Sequence, residues 1–155
     1  MVRATVSTEN GDTVLSLSGT MSEERFDYPL LPPEARRLLI RTRELSRINS
    51  TGVKAWIHFC HALTAEGRSF AFVECSPAIV EQLSNIRNFS GGGEVRSAYV
   101  PYHCDSCETD FTVLFDRASL ERIRDQPVIE HECTSCKATA QFDDLAEEYF
   151  RFLDY

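Results

Sequence analysis

The sequence predicts an α/β fold: a mixed β-sheet with helices packed on it, followed by a small C-terminal element of different construction. Two observations predict the first part and its limits. Short β-branched runs alternate with amphipathic stretches through residues 1–100, and those residues carry equal numbers of acidic and basic side chains. The third observation concerns the rest of the chain. Residues 101–155 carry the whole net charge of −8 and four of the six cysteines, arranged as two C-x2-C pairs. We therefore expect one domain over 1–100 and a second unit over 101–155.

The elements follow in order. "ATVST" (4–8) and "TVLSLSG" (13–19) flank Asn10-Gly11, the pairing expected of a tight hairpin. "RFDYPLLPPEA" holds Pro29, Pro32 and Pro33, which exclude a long helix, so Phe26, Tyr28, Leu30 and Leu31 should lie extended over the sheet. "RLLIRT" (37–42) reads as a buried strand. Beyond "NSTG", Val53, Trp56, Ile57, Cys60 and Leu63 recur on one helical face, and Gly67 closes that helix. "SFAFVE" (69–74) is the next strand. Ser76 followed by Pro77 is a helix start, with Ile79, Val80, Leu83 and Ile86 as the buried stripe. "SGGGE" follows a helix and precedes a strand, the reverse of a phosphate-cradling loop, and reads as a turn. "EVRSAYVPYH" is the last strand before the cysteines.

The stretch "LIRTRELSRINSTGVKAW" resembles the signature of STAS domains, the anti-sigma-factor antagonists, in which a strand ends in Asp-Ser-Ser/Thr-Gly and leads into a helix. The resemblance continues through "EGRSFAFVECSPAIVEQL" and covers residues 3–100. It implies a STAS-like mixed sheet, with Ser50 where the family's phosphorylated serine sits and Thr51 as the neighbouring candidate. Asn49, Ser50, Thr51, Gly52 and Lys54 would then form a partner-binding face. The implied partner is a regulatory protein such as an anti-sigma factor or a serine kinase. The chain departs from the family at Asn49, where the family has Asp, and in the Pro-rich 26–35 stretch. Without the family, Ser50 or Thr51 reads simply as a helix cap.

Cys104, Cys107, Cys133 and Cys136 form C-x2-C, 25 residues, C-x2-C. Two such hooks can bring four thiolates to tetrahedral positions around one ion, the pattern of a zinc ribbon. We expect one structural Zn2+, with iron as the less favoured ion, since four protein sulfurs leave no open position for water or substrate. Strands "TDFTVLFD" and "ATAQF" should pair beside the hooks, although Glu108 and Lys137 stand where ribbons often have glycine. His103 and His131 read as neighbours of the ligands. "DDLAEEYFRFLDY" should be a helix capped by Asp143 or Asp144, with Leu145, Tyr149, Phe152 and Leu153 as its stripe.

The remaining signals are plainer. Cys60 and Cys75 read as core thiols. Arg36, Arg37, Arg41, Arg43 and Arg47 are either solvated strand residues or a dock for an acidic partner or for the acidic ribbon. No apolar run is long enough for a membrane span and no signal core opens the chain, so a cytoplasmic protein is expected. The acidity of 101–155 argues against nucleic acid, and no nucleophile, base and orienter set argues for an enzyme. The expected function is a non-enzymatic regulatory interaction module. The alternative is a constitutive zinc-ribbon scaffold or adaptor, for protein or nucleic acid, in which the first domain is only structural. A homo-oligomer is left open.

Overall fold

The computed structural model of the protein describes residues 1–155. It is an α/β structure with a mixed sheet. Strands β1 (Val2–Glu9) and β2 (Asp12–Met21) form the hairpin that Asn10-Gly11 announces. Both turn residues are left-handed, at φ 51° and 84°, as a two-residue turn matched to strand twist requires. Then come β3 (Arg37–Ile48), helix α1 (Ser50–Ala65), β4 (Ser69–Val73), α2 (Pro77–Asn85) and the short β5 (Glu94–Val95). The sheet order is β1-β2-β3-β4-β5, antiparallel at the first pair and parallel at the others.

The order never reverses from β3 to β5, so right-handed crossovers put α1 and α2 on the same face. There Trp56 meets Phe72 at 5.4 Å, among Leu15, Leu17, Leu38, Ile40 and Leu63. The other face has no helix. Its middle is held by Arg41, whose guanidinium takes both oxygens of Glu9 at 2.8 and 2.9 Å and also reaches Glu74. Arg43 pairs with Glu44 and Glu74. These arginines are engaged within their own sheet, and none pairs with the acidic residues beyond 100.

Strand β3 runs six residues past the expected end. Register shifts against β2, between Ser16 and Ser18 and again between Gly19 and Thr20, let pairing continue past the apolar run, so residues 43–47, of which only Leu45 is buried, stay in the strand. The Pro-rich segment lies over a helix and not the sheet: Phe26 and Tyr28 pack on Phe59 of α1 at 5.2 and 5.3 Å. Leu31 is buried as expected, but Leu30 is exposed.

A second sheet follows without a linker. Strand β6 (Ser97–Cys104) starts one residue after β5 and is tied to the first sheet, with Cys75 N–H donating to Ser97 O and Tyr99 N–H to Cys75 O. The division expected near residue 100 falls inside β6. Strands β7 (Thr109–Asp116), β8 (Glu130–Glu132) and β9 (Thr139–Phe142) complete an antiparallel sheet of order β7-β6-β9-β8. One apolar cluster joins the two sheets, from Leu15 and Phe72 to Val100 and Tyr102.

Between β7 and β8 lies a helix the sequence reading did not anticipate, α3 (Arg117–Arg124). Asp116 caps it by accepting from Ser119 N–H at 2.8 Å, and Leu120 and Ile123 are its buried residues. The expected C-terminal helix is shorter: α4 (Ala146–Tyr149), then a 3-10 turn over Arg151–Asp154. The cause is Ser84 of α2. Its hydroxyl donates to Tyr149 O at 2.7 Å, the carbonyl an α-helix would offer to Leu153 N–H, which pairs instead with Phe150 O. Leu145, expected in the buried stripe, is exposed. The segment is thereby sealed onto α2, with Tyr149, Phe150, Phe152 and Leu153 buried.

Ser84 is itself buried and also accepts from Phe152 N–H at 3.3 Å. Ser84→Ala should cost about 1–3 kcal/mol in urea unfolding, because Tyr149 O and Phe152 N–H both lose their partner.

Candidate functional site

The sheet topology brings the cysteine hooks together. Strand β6 is antiparallel to β9, and β9 to β8, so β6 and β8 run the same way and their C-terminal ends lie at one end of the sheet. Cys104 ends β6 and Cys133 follows β8 directly. The 25 residues between the hooks are long for a ribbon because they include all of α3. After each hook the chain turns through a left-handed residue, Glu108 at φ 55° and Lys137 at φ 66°. Both do the work of the absent glycines, at a backbone cost of order 1 kcal/mol each.

The four sulfurs all lie within 4.8 Å of one another, and the closest pairs cross between hooks: Cys104 to Cys136 at 3.5 Å and Cys107 to Cys133 at 3.6 Å. These separations are far from a disulfide bond, and all six cysteines are free thiols. They approach the roughly 3.8 Å edge of a tetrahedron built on metal–sulfur bonds of about 2.3 Å. The cluster could therefore hold one metal ion. Cys104 and Cys133 are buried, whereas Cys107 and Cys136 face outward. Backbone N–H groups of Cys136 and Ser135 hold the Cys133 thiol below its ordinary pKa.

The nearby histidines are turned to other partners. His103 Nδ1 meets Asp110 at 2.6 Å while its Nε2 faces Glu108 and Asp105 at 3.2 and 3.4 Å. The Asp110 carboxylate, chiefly through that hydrogen bond, raises the imidazole above its ordinary pKa. His131 bonds Glu132 O and sits among Tyr102, Phe111 and Phe115. Cys60 and Cys75 are buried, and that burial pushes both thiols up to about 12.

At "NSTG" the structure assigns the capping duty differently from the sequence reading. The cap is Asn49, whose Oδ1 accepts from Gly52 N–H at 2.9 Å while its own N–H donates to Met21 O. The signal was legible as an Asn at the strand end three residues before a helical glycine, but Ser and Thr compete for the same role. Ser50 becomes the first helical residue and is exposed, as is Lys54 one turn on; Thr51 is half-buried. Gly52 is fixed by contact: a Cβ there would stand 1.9 Å from Met21 O. Thr51, Lys54 and His58 of α1 face Arg25, Phe26 and Tyr28 across a groove of about 740 Å³.

No helix is long and apolar enough to cross a membrane. Compared with protein-family models and with curated proteins, the chain matches none.

Two outcomes follow from this geometry. Metal analysis of the purified protein should give one ion per chain, and Cys104→Ser or Cys133→Ser should lower that ratio and the melting temperature together. Gly52→Ala should destabilise by about 1–3 kcal/mol or more in urea, since the new methyl meets backbone, and Ser50→Ala should be close to neutral.

Proposed function

We propose that this protein is a non-enzymatic regulatory interaction module of the STAS-like, anti-sigma-factor-antagonist kind, switched by phosphorylation of Ser50. The observation that carries this reading is the exposed Ser50 hydroxyl at the first turn of α1, relieved of capping by Asn49. A modifying enzyme could reach it without breaking the helix start. A phosphoryl group would add about −1.5 to −2 charges where the helix dipole favours an anion, leaving the fold intact and changing what a docked protein meets. The partner face would be Asn49, Ser50, Thr51 and Lys54 with Gly52 buried beneath, and the partner an anti-sigma factor or a serine kinase.

The ion in this reading is Zn2+, held by Cys104, Cys107, Cys133 and Cys136. A bound zinc ion would supply folding free energy and no reaction, because four protein sulfurs complete its coordination. The chain's contribution is the pair of left-handed turns after Cys107 and Cys136 and the register that sets both hooks at one sheet end.

The test is phosphopeptide mass spectrometry over residues 44–54 of protein isolated from its own cells, growing and starved. Phosphate on Ser50 is the expected result. An unmodified peptide in every condition, at full coverage, would sink the switch and leave the constitutive scaffold. The Ser50→Asp variant should remain folded and gain about 0.3–1 kcal/mol from the favourable helix-end charge, read by urea unfolding.

A further inference from the structure

A cleft of about 920 Å³ opens between the C-terminal half of α1, the glycine turn and Asp154–Tyr155. A second, of about 510 Å³, adjoins it, and Arg87, Ser90, Gly92 and Tyr155 line both. Neither contains Ser50 or the cysteines, so the site is independent of the switch and the metal.

The charge at the shared wall is positive. Arg87 lies over the Tyr155 ring, 5.3 Å from its centroid, and pairs with no carboxylate of the chain. Three acids line the two clefts and each already faces an arginine: Asp154 with Arg124 at 3.0 Å, Glu121 with Arg117 at 3.2 Å and Glu94 with Arg96 at 3.6 Å. Tyr155 is steadied by its hydroxyl, which donates to Ser84 O at 3.3 Å. The arginine is thus held by a ring and left with its donors free.

The turn adds neutral donors. Gly91 N–H bonds Asn88 O and Gly93 N–H bonds Ser90 O, which leaves the N–H groups of Ser90 and Gly92 with no acceptor on the chain. Gly91 and Gly92 are left-handed at φ 57° and 90°. Backbone N–H groups left free in a turn can form a concavity that accepts an anion. Gly91 and Gly93 also answer to packing, because a Cβ would press on Cys60 or on Phe70 and Phe72. Gly92 does not: a Cβ there would meet nothing within 4 Å. The cleft is also far larger than a bare oxyanion needs, and falls in the range of small-molecule sites.

We propose that this cleft binds a small organic phosphate, its phosphate group taken by Arg87 and the Ser90–Gly92 turn and its organic part lying along Tyr155 and α1. The protein carries its own reporter. Its single tryptophan, Trp56, donates from Nε1 to Phe89 O at 2.8 Å and stacks on the Phe89 ring at 4.9 Å, so it is bonded to the turn that would close on the ligand.

The experiment uses the full-length, metal-loaded protein and phenyl phosphate as probe, with Trp56 fluorescence and titration calorimetry as readouts. Saturable binding is expected, with inorganic phosphate weaker and phenol weaker still. Arg87→Gln, at an exposed position and checked by its melting temperature, should weaken phenyl phosphate by about tenfold, the scale of one charge-assisted hydrogen-bonding group. No saturable binding at millimolar probe would overturn the proposal. So would phenol binding as well as phenyl phosphate, or Arg87→Gln binding as well as the wild type.

Discussion

The structure depends on a join of three backbone hydrogen bonds where the first sheet becomes the second. Arg96 N–H donates to Phe72 O, Cys75 N–H to Ser97 O and Tyr99 N–H to Cys75 O, so the chain that leaves β5 is gripped by the end of β4 and the residues after it as it becomes β6. Without that grip the cysteine-bearing sheet would hang from a hinge. With it, Ala98, Val100 and Tyr102 enter the same apolar cluster as Phe72 and Val80. Glu74 sits at the centre of the join with φ 49°, its N–H bonded to Ser97 Oγ at 2.7 Å and its carboxylate to Arg41. The strained residue is over-determined from both sides, which is the circumstance in which a left-handed non-glycine persists.

That arrangement changes what a metal ion has to do. An isolated ribbon of fifty residues buries too little apolar surface to fold unaided. Here the second sheet is already stabilised by α3, α4 and the shared core, while at the hook end Cys107 and Cys136 face solvent. The carboxylates crowd that same end, with Asp105, Glu108 and Asp110 all around His103. Four thiolates added to this acid cluster would repel one another strongly unless a cation neutralised part of their charge.

What could be read from the sequence was whatever a local pattern encodes. Asn10-Gly11 named its hairpin, Ser76-Pro77 named a helix start, and the cysteine spacing named the cluster before any contact was known. What could not be read depended on partners distant in sequence. The C-terminal helix was cut short by Ser84, more than sixty residues earlier, and β3 was lengthened by irregularities in β2. Helix α3 escaped because only Leu120 and Ile123 among its charged residues are buried, too few for a period to show. The cap at Asn49 escaped for a different reason: Asn, Ser and Thr are chemically equivalent candidates, and only the approach of Met21 O to Gly52 fixes the frame.

The latch between Ser84 and the last turn has a consequence for how the chain is made. Helix α2 leaves the ribosome well before residues 149–153, yet those residues form one of its apolar walls. At about 5–20 residues per second, α2 waits several seconds with Leu83 uncovered on that side. The first sheet can assemble during synthesis, but this flank of α2 is covered only after residues 149–153 have been made. A ribosome stalled among the cysteine codons would hold a nascent chain with a sticky flank, a natural substrate for a chaperone.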